Sequence, residues 1–96
     1  MKVKKLDKRN NGYRQFKYYI KPTSHGMHEV RAWCWETWGS SKELNEWLRD
    51  DASLAVSPFH QTHCFNEHWC WQNDQYYCRI YLRTDEELTF FQLKWQ

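Results

Sequence analysis

Gln75 to Trp95, QYYCRIYLRTDEELTFFQLKW, reads as a strand that runs straight into a capped helix. From Gln75 to Arg83 the side chains alternate, with Tyr76, Cys78, Ile80 and Leu82 on one face and Tyr77, Arg79, Tyr81 and Arg83 on the other. Successive strand residues point to opposite sides, so this order suits a strand with one face in a core. Thr84-Asp85-Glu86-Glu87 then has the form of a capping box. Its threonine hydroxyl can accept from a free backbone N–H, its glutamate can reach back, and three acids sit at the positive end of the helix. Along that helix Leu88, Phe91 and Trp95 make one stripe, while Phe90 and Leu93 fall nearly opposite. A helix lying on the sheet of one small domain shows a single apolar face. Phe90 and Leu93 are therefore expected either under internal cover or, equally, against a partner or a second copy of the chain.

Working backwards, Asn73-Asp74 predicts a tight hairpin between this strand and another over His68 to Gln72. Tyr13 to Lys21 alternates as well, with Phe16, Tyr18 and Ile20 on one face and Lys17, Tyr19 and Lys21 on the other, and Pro22 ends it. Between the strands, Met27, Val30, Cys34 and Trp38 recur at steps of three and four. That spacing predicts a helix from about His25 to Trp38, capped by Thr23 or Ser24 and stopped by Gly39. Ser40-Ser41-Lys42-Glu43 repeats the Ser-x-x-Glu box and predicts a short helix carrying Leu44, Trp47 and Leu48 to Asp50. Asp51 to Glu67 has no clear period and reads as a long connection. The predicted order is β-α-(short α)-β-β-α, an α+β fold with a three-stranded antiparallel sheet and its helices on one face.

Ninety-six residues suffice for one domain, here 13–96, preceded by a basic flexible arm over 1–12. Mean hydropathy is low, but seven Trp, six Tyr and five Phe bury enough area to build a core. No apolar run reaches the ~18 residues of a membrane span. The opening MKVKKLDKRNN is basic without the apolar centre of a signal peptide, so the expected location is the cytoplasm. There the four cysteines are expected as reduced thiols. Charge is divided: residues 1–21 carry eight Lys/Arg against one acid, net +7, and residues 22–96 carry six against eleven, net −5. A basic arm on an acidic body suits contact with nucleic acid, although a solvated, solubilising terminus has the same composition.

Two constellations bear on chemistry. His60, His63, Cys64 and Cys70 are the ligand types zinc prefers and lie close in sequence, but their spacing matches no standard zinc module. The ordinary alternative is that Cys70 and Cys78 are core residues and the histidines are surface polar groups. On the sheet, Lys17, Tyr19 and Lys21 on one strand and Tyr77, Arg79, Tyr81 and Arg83 on the other interleave rings with positive charge. Tyrosine can stack an unpaired base while Arg and Lys hold phosphates, and the same residue types dominate protein contacts. No nucleophile, acid–base pair or glycine elbow is singled out by spacing, so the expected activity is binding and not catalysis.

The ending resembles small, mostly uncharacterised accessory proteins of tailed bacteriophages. The likeness rests on Ala32-Trp33-Cys34 closed by Gly39, an aromatic strand, the acidic helix start Asp85-Glu86-Glu87, and the finish Phe91-Gln92-Leu93-Lys94-Trp95. The resemblance implies a non-enzymatic protein of the infected bacterial cytoplasm that binds and inhibits or modulates a host protein, such as a defence system or a toxin endoribonuclease, with RNA as a candidate participant. It carries over no catalytic residue and no cofactor. The competing expectation is a zinc-stabilised module that binds single-stranded nucleic acid.

Overall fold

In a computed structural model of the chain, which describes residues 2–10, 12–22, 26–49, 66–75 and 77–95, the alternation at Cys78 to Leu82 is one of the two inner strands of a four-stranded sheet. The elements are β1 (Lys2–Lys5), β2 (Tyr18–Lys21), α1 (Met27–Trp38), α2 (residues 44–49), β3 (Trp69–Asn73), β4 (Cys78–Leu82) and α3 (Asp85–Trp95). The strands are antiparallel in the order β1-β2-β4-β3. The α+β class and the element order are as expected, with one strand more.

That extra strand comes from the segment read as an arm. Lys2–Lys5 pairs with Tyr18–Lys21, Val3 opposite Ile20, and the Leu6 N–H donates to Lys17 O at 2.9 Å. Val3 packs on one core and Leu6 on the other, so two apolar residues anchor a lysine-rich strand. Charge outweighs apolar content in this stretch, which hides the strand from a hydrophobic pattern. Lysines on an edge strand also discourage pairing with a second sheet. The chain turns at Gly12: with φ of 84° its carbonyl accepts from Gln15 and Phe16 N–H at 3.0 and 2.8 Å. A Cβ there would stand 3.2 Å from Leu44 Cδ1, so a side chain meets both strain and crowding.

Helices cover both faces of the sheet, not one. On the first face Ile20, Trp69, Ile80 and Leu82 pack with Val30 and Cys34 of α1 and Phe91 of α3. On the second, Tyr19, Cys70 and Tyr81 pack with Leu6, Phe16 and α2's Leu44 and Trp47. The register forces this division: Trp69 lies opposite Leu82 and Trp71 opposite Ile80, while Cys70 lies opposite Tyr81. Phe16 does not share Ile20's face as expected. It lies before β2 begins, and its ring meets Trp47 edge-on, 4.7 Å between centroids.

Gly26 is the N-cap of α1, and no side chain caps it; Thr23 and Ser24 lie outside the described residues. Gly39, with φ of 95°, closes the helix as expected, its N–H donating to Trp35 O at 2.8 Å. The Ser-x-x-Glu box before α2 does not form. Glu43 instead accepts from the Asn45 N–H at 2.9 Å, and the Ser41 hydroxyl donates to Trp69 O at 2.7 Å. Buried Asn66 joins the layers: its Nδ2 donates to Trp38 O and Ser40 O, its Oδ1 accepts from His68 N–H, and its carbonyl accepts from Trp47 Nε1. The connection between β3 and β4 is longer than the two-residue turn expected at Asn73-Asp74, because Asn73 pairs with Cys78. Asp74 closes that loop, its Oδ1 accepting from the Tyr77 N–H at 2.8 Å.

With both faces forming core, Trp47→Ala on one side and Phe91→Ala on the other are each expected to cost ~3–5 kcal/mol of stability. Denaturant melts of the two variants check this. A loss under ~1 kcal/mol for Trp47→Ala would mean that the α2 face is surface.

Candidate binding surfaces

The Tyr/Arg face expected to stack bases is divided by α2. Tyr19 and Tyr81 are 6% and 1% exposed, so neither ring can meet a ligand. Burial of Tyr81 is made tolerable by a chain of polar contacts. Its hydroxyl donates to Gln72 Oε1 at 2.7 Å, and Gln72 Nε2 reaches Asp74 Oδ2 at 3.5 Å. The same burial raises the Tyr81 pKa. Half-buried Arg79 lies 4.2 Å from the Tyr19 ring centroid and 4.1 Å from that of exposed Tyr77. An arginine plane between two rings is a cation–π arrangement, and here it seals the rim of the core. Lys21 is exposed at the end of β2, opposite Lys2.

Lys17 and Arg83 are brought together, but at the end of the sheet. They line a groove of about 410 Å³ with Lys5, Arg14, Tyr13 and Thr84, which arrive from β1, the Gly12 turn and the β4–α3 junction. Asp85 beside it is already engaged: Lys17 Nζ reaches its carboxylate at 3.0 and 3.1 Å, and the Tyr18 hydroxyl donates to it as well. Those bonds, Tyr18's first and then Lys17's, hold the Asp85 carboxyl below the ordinary aspartate range, and the pKa values of Tyr18 and Lys17 rise in return. Lys5, Arg14 and Arg83 form no ion pair among the described residues.

A second concavity of about 180 Å³ has the opposite character. Trp38, His68, Glu86, Glu87 and Phe90 line it. Its floor is a pair that sequence spacing does not reveal: His68 Nδ1 lies 2.9 Å from buried Glu87 Oε1, and the Thr84 hydroxyl donates to the other carboxylate oxygen. The two residues of the expected capping box do meet, but side chain to side chain and not through the backbone N–H groups that such a box satisfies. A carboxylate holding Nδ1 orients the ring, as in general-base pairs, but here the one hydroxyl on the same carboxylate is tied down. Next to this concavity Phe90 and Leu93 remain 54% and 72% exposed. Phe90 stacks on Trp33 of α1 at 5.9 Å, and Leu88, Phe91 and Trp95 complete the core on the other side of α3. The outer side of α1 adds an open groove beside His28, Ala32 and exposed Trp35.

Of the four residues considered as zinc ligands, His60, His63 and Cys64 lie outside the described residues. Cys70 points into the α2 core, and burial raises its thiol pKa. His68 does not share Cys70's face; the chain bends at residues 67–68 and the ring turns to α3. Among the described residues no group of three or more metal-ligating side chains comes together, and no helix is long and apolar enough to cross a membrane. Cys34, Cys70 and Cys78 are free thiols, and Cys78, expected in the core, is exposed where β4 begins. Comparison with protein-family models, with curated proteins and with solved structures finds no match to this chain.

The Asp85 contacts give a direct check on the geometry at the α3 start. Its side-chain carbon resonance should titrate below the ordinary aspartate range and move back up in Tyr18→Phe. Because the folded pKa is depressed, what these contacts contribute is present at neutral pH and is lost as pH falls through that value. An unshifted titration in the wild type would mean that Lys17, Tyr18 and Asp85 are not linked.

Proposed function

We propose that this chain is a non-enzymatic binding protein that docks on another protein and inhibits or modulates it. The observation that carries the reading is the ridge of Phe90 and Leu93, left exposed beside Trp38 on a helix whose opposite side already completes the core. Large apolar side chains left on one ridge of a small domain mark a contact site, and aromatic residues are enriched at the centres of protein interfaces. Glu86, one helical turn before Phe90, and the concavity over His68 supply a polar rim. The likeness of the chain's ending to phage accessory proteins supports a factor of the infected bacterium as the partner.

Leu93 makes the cleanest test because its side chain is mostly in solvent. Leu93→Asp is expected to leave stability within ~0.5 kcal/mol of wild type. It should also remove the protein that a tagged wild-type chain retains from nuclease-treated bacterial lysate. Retention of the same protein by the variant contradicts the proposal. A wild-type dimer that Leu93→Asp converts to monomer, in sedimentation, would instead assign the ridge to self-association.

A further inference from the structure

We propose that the groove lined by Lys5, Arg14, Lys17 and Arg83 binds the phosphodiester backbone of single-stranded nucleic acid, with one base laid on the Tyr13 ring. This site lies apart from the Phe90/Leu93 ridge and does not depend on the protein-binding reading. It also replaces the sheet face expected from sequence, whose central rings are buried.

Three observations converge on it. First, four cations from separate segments meet around one concavity, and its neighbouring acid, Asp85, is occupied by Lys17 and Tyr18. Lys5, Arg14 and Arg83 form no ion pair among the described residues, and their gathered positive charge favours an anion from outside. Second, the lysines continue beyond the groove. Lys2 lies directly opposite Lys21 across the β1–β2 pair, and Lys4 is exposed on the same edge. Like charges in register destabilise a sheet, and a polyanion lying along that edge removes the cost. Third, the groove includes a ring. Tyr13 is 36% exposed, and the Arg14 guanidinium lies 5.9 Å from its centroid. An acidic peptide satisfies the charges but has no use for the ring. A nucleotide uses both, phosphate on the cations and base on the tyrosine. Nothing in the groove selects ribose over deoxyribose, so RNA and DNA single strands are expected to bind alike.

Fluorescence anisotropy of the full chain with labelled twelve-residue oligo-uridine and oligo-thymidine strands tests this across a salt series. Both should bind, and the logarithm of affinity should fall with that of salt with a slope of about −2 to −3, as for three or four single-strand phosphate contacts. Arg14→Ala with Arg83→Ala should flatten that slope by about 1 or more. Tyr13→Ala should weaken binding with the slope unchanged, because stacking releases no counterion. Leu93→Asp should bind as wild type. Circular dichroism melts establish that each variant is folded. Binding unaffected in the folded double arginine variant, or no binding by wild type at low salt, overturns the proposal. Displacement of the strand by polyglutamate as readily as by unlabelled oligo-uridine overturns it too, in favour of an acidic protein segment.

Discussion

Everything in this molecule follows from the alternation of β4 between two cores. Ile80 and Leu82 point to α1 and α3, and Tyr81 between them points to α2. Because β4 is flanked by β2 and β3 on its two sides, its residues bring both neighbours' side chains into the same two layers. A sheet this small gains stability by burying both surfaces, but burial carries a condition. Every polar group taken inside needs a partner. Tyr81 meets it through Gln72, and Asn66 meets it for α1's last turn, Trp47 and the start of β3 at once.

That arrangement determines where ligands can be met. With both sheet faces covered, the concavities lie at the end of the sheet and on the outside of the helices. The first turn of α3 lies between the two regions. Thr84 lines the basic groove, while Glu86 and Glu87 line the acidic and aromatic concavity. One surface gathers positive charge, and the other is an exposed apolar ridge with a polar border.

Much of the fold was legible in the sequence. The α1 stripe, the Gly39 stop, the buried Leu44 and Trp47, and the acidic start of α3 all came from local periodicity and end chemistry. What was illegible is non-local. An alternation of Tyr, Arg and Lys has the composition of an exposed face, and only the arrival of α2 makes Tyr19 and Tyr81 core. The β1 lysines concealed a strand held by Val3 and Leu6. His68 and Glu87 are nineteen residues apart, and no spacing rule brings them together. Of the candidate site, Lys17 and Arg83 were legible and their neighbours Lys5, Tyr13 and Arg14 were not, because the groove is made by the pairing of β1 with β2.

Hydroxyl-radical footprinting of the native chain, read residue by residue, tests the two-faced sheet most directly. Tyr13, Tyr77 and Phe90 should oxidise readily, while Tyr19, Tyr81 and Trp47 should react only on unfolding. Oxidation of Tyr19 and Tyr81 at the rate of Tyr77 would contradict it, and would return the Tyr/Arg face to the surface as a binding platform.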